Sequence, residues 1–346
     1  MSADSQYLQF ASDNYAGICP EAFEYINKAN DGFDYPYGDD KWTNEACDMF
    51  RDLFETECEV FFVYNGTSAN ALALSSICQS YHSIISHELA HIETDECGAV
   101  EFFSNGAKLL LGKGDNGKLS PESIKDIITR RSDIHYSKPQ ALSVTQSTEV
   151  GTVYRPDELL SIYKITKHHS LHFHMDGARM ANALVSLGLS PKEITWQCGL
   201  DVVSFGGIKN GLMVGEAVIF FNKKLAEEFA YRCKQSGQLS SKMRFVAAQW
   251  VGLLKNNTWK KNASNANKCA QLLYEKLTEI DEIKIMFPCD ANVVFAQLPP
   301  KTIKFLKDKG WHFYTFIGAG GARFMCSWRT TEEAVNKLVA DIRSSL

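Results

Sequence analysis

Residues Asp201 to Phe221 read DVVSFGGIKNGLMVGEAVIFF, two strand-like runs joined by a glycine-rich turn that carries one lysine. Asp-Val-Val-Ser-Phe has the length and apolar content of a short buried strand, and Gly206-Gly207 then lets the backbone turn tightly. Gly-Glu-Ala-Val-Ile-Phe-Phe resumes as a second strand. Lys209, between them, is poorly placed to serve solubility. A lysine held on a strand-end turn is better placed to be desolvated and to act as an amine nucleophile. The ordinary alternative is a loop lysine whose stem lies on apolar surface while its head stays in water.

Outward from this segment, strand-like runs alternate with amphipathic helices, the pattern of an α/β fold with a largely parallel sheet. EVFFVYN (59–65), SIIS (83–86), QALSVTQ (140–146) and SLHFHMDGAR (170–179) read as strands. Helices are expected at 68–81, 121–131, 155–169 and 180–189, the second opened by Ser120 as cap with Pro121 in the first turn. After Phe221 come three long helical stretches, at 223–235, 241–257 and 262–280. The remainder reads strand, strand, helix, strand, strand, helix: IKIMF, NVVFAQL, KTIKFLKDKG, FYTFI, ARFMCSW and TEEAVNKLVADI. That order predicts a small α+β domain with an antiparallel sheet. We expect an N-terminal arm over 1–20, a large domain over 21–245 and the small domain over 246–346.

At 346 residues the chain can hold one large and one smaller domain, and 45% apolar with 22% charged residues is ordinary for a globular protein. The balance of 36 basic and 41 acidic residues, net −5, offers no basic block for nucleic acid. Apolar runs fall well short of the roughly 20 residues of a membrane span, and the polar start lacks the order of a signal peptide. Ten cysteines without a Cys-x-x-Cys pair read as reduced, mostly buried thiols. A cytoplasmic location is expected. HELAH (87–91) matches His-Glu-x-x-His literally, but it follows a strand and runs into a glycine loop, so no metal is expected. GKGDNGKLS (112–120) approaches the nucleotide phosphate-loop spacing, yet Leu119 stands where a magnesium-holding hydroxyl belongs, and Asp-Asn-Gly marks a turn.

Catalytic groups in open α/β sheets gather beyond the carboxyl ends of the strands. Four groups stand at such places. In YNGTSAN (64–70), Gly66, Thr67 and Ser68 open a helix and suit a phosphate. In HMDGAR (174–179), Asp176 ends a strand and could keep a ring nitrogen protonated. Lys209 lies one strand further on, and the ring of His91 could stack on a planar cofactor. Phosphate, pyridine nitrogen and aldehyde of pyridoxal 5′-phosphate would each find a partner.

These motifs, SFGGIKNG, HMDGAR and GTSAN, together with PYGDD (36–40) and ARFMCSWRTTEEAV (322–335), resemble the L-threonine aldolase family in the same order along nearly the whole chain. The resemblance implies a pyridoxal-phosphate fold of the aspartate-aminotransferase type: a mainly parallel seven-stranded sheet with helices on both faces, plus a small α+β C-terminal domain. It implies that Lys209 joins the cofactor aldehyde, Asp176 meets the pyridine nitrogen, Gly66, Thr67 and Ser68 hold the phosphate, and His91 lies over the ring. Arg179, beside the cofactor, and Arg323 would grip the substrate carboxylate, for which the guanidinium fork is suited. Ser12 would touch the same carboxylate. His135, in DIHYSKPQAL, would lie near the substrate hydroxyl, so His91 or His135 is the expected base. Tyr37 would sit at the edge of the site and reach across a subunit interface. A homodimer or homotetramer with sites at the interface is implied. In CKQSGQLSSKMR, Gln235 stands where a basic residue belongs, which leaves a phosphate contact from a neighbouring subunit in doubt.

The expected reaction cleaves L-threonine, L-allo-threonine or a related β-hydroxy-α-amino acid to glycine and an aldehyde. Another lyase or transaminase reaction of the same fold, or a non-catalytic cofactor-binding protein, are the alternatives.

Overall fold

The computed structural model describes residues 8–315 and 321–346. Helices α1 (Pro20–Ala29) and α2 (Lys41–Phe54) precede strand β1 (Glu59–Val63), α3 (Gly66–Ile77) and β2 (His82–His87). Two short helices, α4 (His91–Thr94) and α5 (Ala99–Phe103), lead to β3 (Lys108–Gly112), followed by α6 (Pro121–Thr129), β4 (Lys138–Thr145) and α7 (Pro156–His168). Next come β5 (His172–Gly177), α8 (Met180–Leu187), β6 (Val202–Phe205), β7 (Glu216–Phe220), α9 (Phe229–Gln235), α10 (Arg244–Leu254) and α11 (Thr258–Thr278). The chain ends with β8 (Lys284–Ile285), β9 (Val293–Gln297), α12 (Pro300–Asp308), β10 (Gly321–Met325) and α13 (Glu332–Ser345).

The large sheet has seven strands in the order β1-β7-β6-β5-β4-β2-β3, and β7 alone runs antiparallel to its neighbours. The mainly parallel seven-stranded sheet is therefore present as expected. Its strands are buried on both faces, as crossover helices require. Alternation sorts the side chains. Phe62, Phe173, Met175, Val203, Phe205 and Ile219 join one core with α2, α7 and α10, where Phe50 and Trp250 meet edge-on with centroids 5.0 Å apart. Val63, Ile84, Val202, Val218 and Phe220 join the opposite core, with α3 and α9. His174 and Asp176 share the parity of the α3 face, so the carboxylate and that helix meet.

Local chemistry starts the helices as the sequence suggests. The Ser120 hydroxyl accepts the Ser123 amide at 3.1 Å ahead of Pro121, and the Asp40 carboxylate accepts the Thr43 amide at 2.8 Å. Three stretches differ from expectation, one being the long helix expected over 223–235, which is a 3-10 turn, Lys223–Ala226, followed by the seven-residue α9. Residues 91–103, read as a loop, form the short α4 and α5, and Lys108–Gly112 adds a strand that the alternation had not marked. Both are too short to carry a readable period.

The C-terminal antiparallel sheet, in the order β10-β9-β8, packs with α11, α12 and α13 around Leu273, Leu306, Phe324 and Leu338. Phe10 is buried in this second core, so the N-terminal segment is part of it. Side chains from Val246 to Ala263 belong to the large-sheet core, and the second core takes up α11 from Cys269 onward. Of the expected strand FYTFI, Tyr314 pairs with Arg323 through an isolated bridge, while Phe316 and Ile317 lie outside the described residues. The ten cysteines are free thiols. Among the described residues no helix is long and apolar enough to cross a membrane.

Candidate active site

The turn after β6 carries Lys209 in a single 3-10 turn, Ile208–Asn210. Its two glycines are demanded by close approach. A Cβ on Gly206 would lie 2.3 Å from the Ala178 carbonyl oxygen, and one on Gly207 would lie 2.6 Å from Leu212 and from Trp250. The Asn210 amide group donates to the Trp259 carbonyl at 2.9 Å, and Asn262 donates back to the Asn210 carbonyl at 2.8 Å. The lysine therefore leaves a turn fastened to α11.

One strand away, Asp176 is buried at the end of β5. Its Oδ1 accepts the Ala178 amide at 3.0 Å, and its Oδ2 accepts Asn70 Nδ2, from α3, at 3.0 Å. The same Asn70 nitrogen donates to Glu96 Oε1 at 2.9 Å, and His91 Nδ1 meets that oxygen at 2.8 Å. A chain of hydrogen bonds thus joins His91, Glu96, Asn70 and Asp176. The hydrogen bond to Glu96 holds the His91 imidazole above its usual range despite opposing burial, and burial raises Glu96 in turn.

Helix α3 begins at Gly66. The Asn65 side chain caps it by accepting the Ser68 amide at 2.9 Å. A helix start leaves amides without intrahelical partners, and Gly66 and Thr67 supply them here at the positive end of the helix dipole. A Cβ built on Gly66 would meet nothing within 4 Å, so the space over this terminus is open.

A third group lies around Asp13. Arg179 is buried, and its Nε and Nη2 reach Asp13 Oδ2 and Oδ1 at 2.7 and 3.1 Å. Asn292 Nδ2 adds a contact to Oδ2 at 3.1 Å. Burial opposes ionisation of both partners, but each other's charge prevails: Asp13 is held below the usual carboxylate range and Arg179 above its own. Arg323 sits on β10 between the core residues Ala322 and Phe324, so alternation turns it to the opposite side of the small sheet. Its Nη2 donates to the Ala11 carbonyl at 3.1 Å, and the guanidinium lies 5.1 Å from the Tyr314 ring centroid. Burial and the positive charge of Arg179 lower its pKa.

A cavity of about 780 Å³ is lined in part by Ser12, His91, Glu149, Arg179, Lys209 and Arg323. Of the residues named from the sequence, Gly66, Thr67, Ser68 and Asp176 lie outside its lining, Asp176 being tied to it through Asn70, Glu96 and His91, and His135 and Tyr37 stand apart from it. His135 is exposed in the loop before β4, whereas the cavity opens past the other end of that eight-residue strand, about 25 Å away at 3.3 Å per residue. Tyr37 lies instead in a separate hollow with Tyr231, Lys234 and Leu239, the Lys234 ammonium 4.4 Å from its ring centroid. Gln235 is exposed at the end of α9, and nearby Gln238 accepts the Tyr64 amide at 2.9 Å. Sequence reasoning passed over Asp13, Asn70, Glu96, Glu149 and Asn292. Asp13 adjoins Ser12 and Glu96 follows His91 by five residues, but no spacing rule singles them out. The motif lookalikes are occupied otherwise: Lys118 pairs with Glu158 at 2.8 Å, and His87 Nε2 meets the Gly114 carbonyl at 3.1 Å.

An amide-lined helix start, a buried carboxylate one strand from a turn lysine, and a histidine ring at the same cavity form the donor set that pyridoxal phosphate requires. The open space over Gly66 and the buried Asp176 agree with a phosphate and a protonated ring nitrogen respectively. A family model described as beta-eliminating lyase matches residues 9–299. The chain is 59% identical to the low specificity L-threonine aldolase of Pseudomonas sp. strain NCIMB 10558 over 98% of both chains. It is 60% identical to the Pseudomonas aeruginosa enzyme of the same description, over 97% of both. A solved Leishmania major threonine aldolase superposes with a TM-score of 0.92 at 28% identity, covering 97% of this chain and 98% of that one. Full-length identity at this level, on a fold and a site that agree with it, makes this chain a member of the L-threonine aldolase family among the pyridoxal-phosphate-dependent beta-eliminating lyases.

Proposed function

We propose that this protein cleaves the Cα–Cβ bond of L-threonine, L-allo-threonine or related β-hydroxy-α-amino acids, releasing glycine and an aldehyde. The observation that carries the reading is the meeting of Lys209, Arg179, Arg323 and His91 around one cavity, with Asp176 tied to His91 through Asn70 and Glu96. Bound there, pyridoxal phosphate supplies an electron-poor ring that takes up the electron pair of the breaking bond.

In this reading Lys209 holds the cofactor by its amine, and Asp176 keeps a proton on the ring nitrogen. The amides of Gly66 and Thr67, with the Thr67 and Ser68 hydroxyls, hold the phosphate. His91 lies beside the ring and removes the proton of the substrate hydroxyl; Glu96 fixes its Nδ1 edge, leaving Nε2 as the base. His135 has no part within the same chain. Because Asp13 takes two donors of Arg179, the substrate carboxylate falls mainly to Arg323, with Ser12 alongside and Arg179 adding charge.

Self-association with sites near the interface is supported by large aromatic side chains left exposed, among them Phe33, Tyr35, Tyr37 and Tyr231. Ten free thiols support a cytoplasmic, reducing location. For the domain division expected at residues 245/246, the packing favours a place inside α11, where membership of one core gives way to the other.

Product analysis tests the reaction. Incubation with L-threonine should yield glycine and acetaldehyde in equal amounts. Release of ammonia and a 2-oxo acid instead would assign β-elimination, and no turnover across a panel of β-hydroxy amino acids would overturn the proposal.

A further inference from the structure

Strand β7 is buried throughout, and its only charged residue is Glu216, at the first position. The Glu216 carboxylate accepts the backbone amide of Gly207 through Oε2, and the Ile208 amide adds to its hydrogen bonding. These two amides open the turn whose next residue is Lys209. Glu216 shares the α3 face of the sheet with Val218, Phe220 and Asp176. An uncharged side chain could satisfy two amides. A carboxylate buried in an apolar strand costs stability unless a counter-charge is close, and the positive charge acting on Glu216 is that of Lys209.

We infer that Glu216 is a positioning residue for Lys209: its carboxylate clamps the amides at the base of the turn and, when ionised, acts with a negative charge on the lysine. The inference rests on the reading of Lys209 as the lysine that joins the cofactor. Burial, opposed by the Gly207 amide and the Lys209 charge, pushes Glu216 up to about 7 from the usual 4.5. Asp176 is the other charged group acting on it and raises it further. Val63 of β1 pairs with it, and α3, which packs on the same face of the sheet, carries no charged residue. The sign of the linkage follows. Between pH 4.5 and about 7 the folded state binds more protons at Glu216 than the unfolded chain, so this group's contribution falls as pH rises through that window. Above it, the ionised carboxylate is a net cost.

The test uses the holoenzyme and two variants, Glu216→Gln and Glu216→Asp. The first readout is the pH at which the visible cofactor band is half lost; the second is the melting temperature at pH 8.5. Removing the charge disfavours the protonated lysine–cofactor linkage, so Glu216→Gln should move the half-loss point to lower pH, by at least about threefold in proton concentration. It should also melt no lower than wild type at pH 8.5. Glu216→Asp keeps the charge and should restore the half-loss point to within about twofold. If Glu216→Gln does not fold, a Glu216→Asp midpoint displaced by threefold or more overturns the inference. So does a Glu216→Gln protein that titrates like wild type, or one that melts several degrees lower, the mark of a purely structural clamp. Borohydride reduction of the wild-type holoenzyme keeps the two readings apart. A pyridoxyl group on another lysine would sink the role of Lys209 itself, whereas label on Lys209 with unshifted variants would sink only that of Glu216.

Discussion

Replacing Lys209 with alanine should abolish turnover and the cofactor's visible band, because among the described residues no other lysine lines the cavity. Absorbance spectra and peptide mapping after borohydride reduction check it; label on Lys113 or Lys118 would contradict it. Arg323→Lys keeps a charge but loses the two-pronged fork, so substrate binding should weaken by roughly 1.5–3 kcal/mol while cofactor affinity holds. Steady-state kinetics separate the two, and an unchanged Michaelis constant would leave Arg179 to bind the carboxylate. The base has a pH signature. His91 must be neutral to accept a proton, and its hydrogen bond to Glu96 favours the protonated ring, so the rate should rise with pH through a midpoint above the usual 6.5. Glu96→Gln should shift that rising limb to lower pH. A limb that stays in place would remove His91 as the base. At this scale the lysine, the aspartate and both arginines were legible, since each belongs to a short motif with glycine beside it or a strand before it. Glu96 and Asp13 were not, because a buried carboxylate is recognised by its partners, and those lie on other elements.

Helix α3 shows what one element contributes. Its first residue, Gly66, faces open space, so Gly66→Ala should change stability by less than about 0.5 kcal/mol. In the proposed reading the added methyl would stand where the phosphate would be held, and cofactor affinity should fall at least about tenfold, about 1.4 kcal/mol. Cofactor titration followed by the visible band checks this, with thermal melting of the cofactor-free protein as the control; unchanged affinity would move the phosphate elsewhere. The helix itself was readable from its alanines and leucines, and its start from the Asn-Gly-Thr-Ser run. The α4–α5 stretch shows the limit of such reading. With four and five residues, neither helix completes the two turns over which a period can be recognised, yet α4 carries His91 to the cavity.

At the scale of the whole molecule, Asp13 joins three parts: the N-terminal segment that bears it, Arg179 at the start of α8, and Asn292 ahead of β9. Asp13→Ala leaves a buried guanidinium uncompensated and should lower stability by about 3–5 kcal/mol; denaturant unfolding measures it. Its folded pKa is depressed, so the stability it contributes is present above the usual 3.8 and lost as pH falls through the lower folded value. Acid titration of Asp13→Asn beside wild type should therefore show a flatter loss below that pH, and parallel curves would deny the linkage. What the chain determined by itself was whatever depends on near neighbours: the alternation of strands and helices, the cap at Ser120, the glycine turn around Lys209, and the residue types a cofactor aldehyde, ring nitrogen and phosphate require. What only the tertiary structure decided was which distant groups share a site. His135 and His91 are equally plausible as local signals, but a parallel strand separates its two ends by its full length, and only one end opens on the cavity. Arg179 likewise reads as a free fork in its motif, until folding brings Asp13 across 166 positions to occupy it. Pairing of this kind is set by sheet order and core packing, which no local pattern encodes.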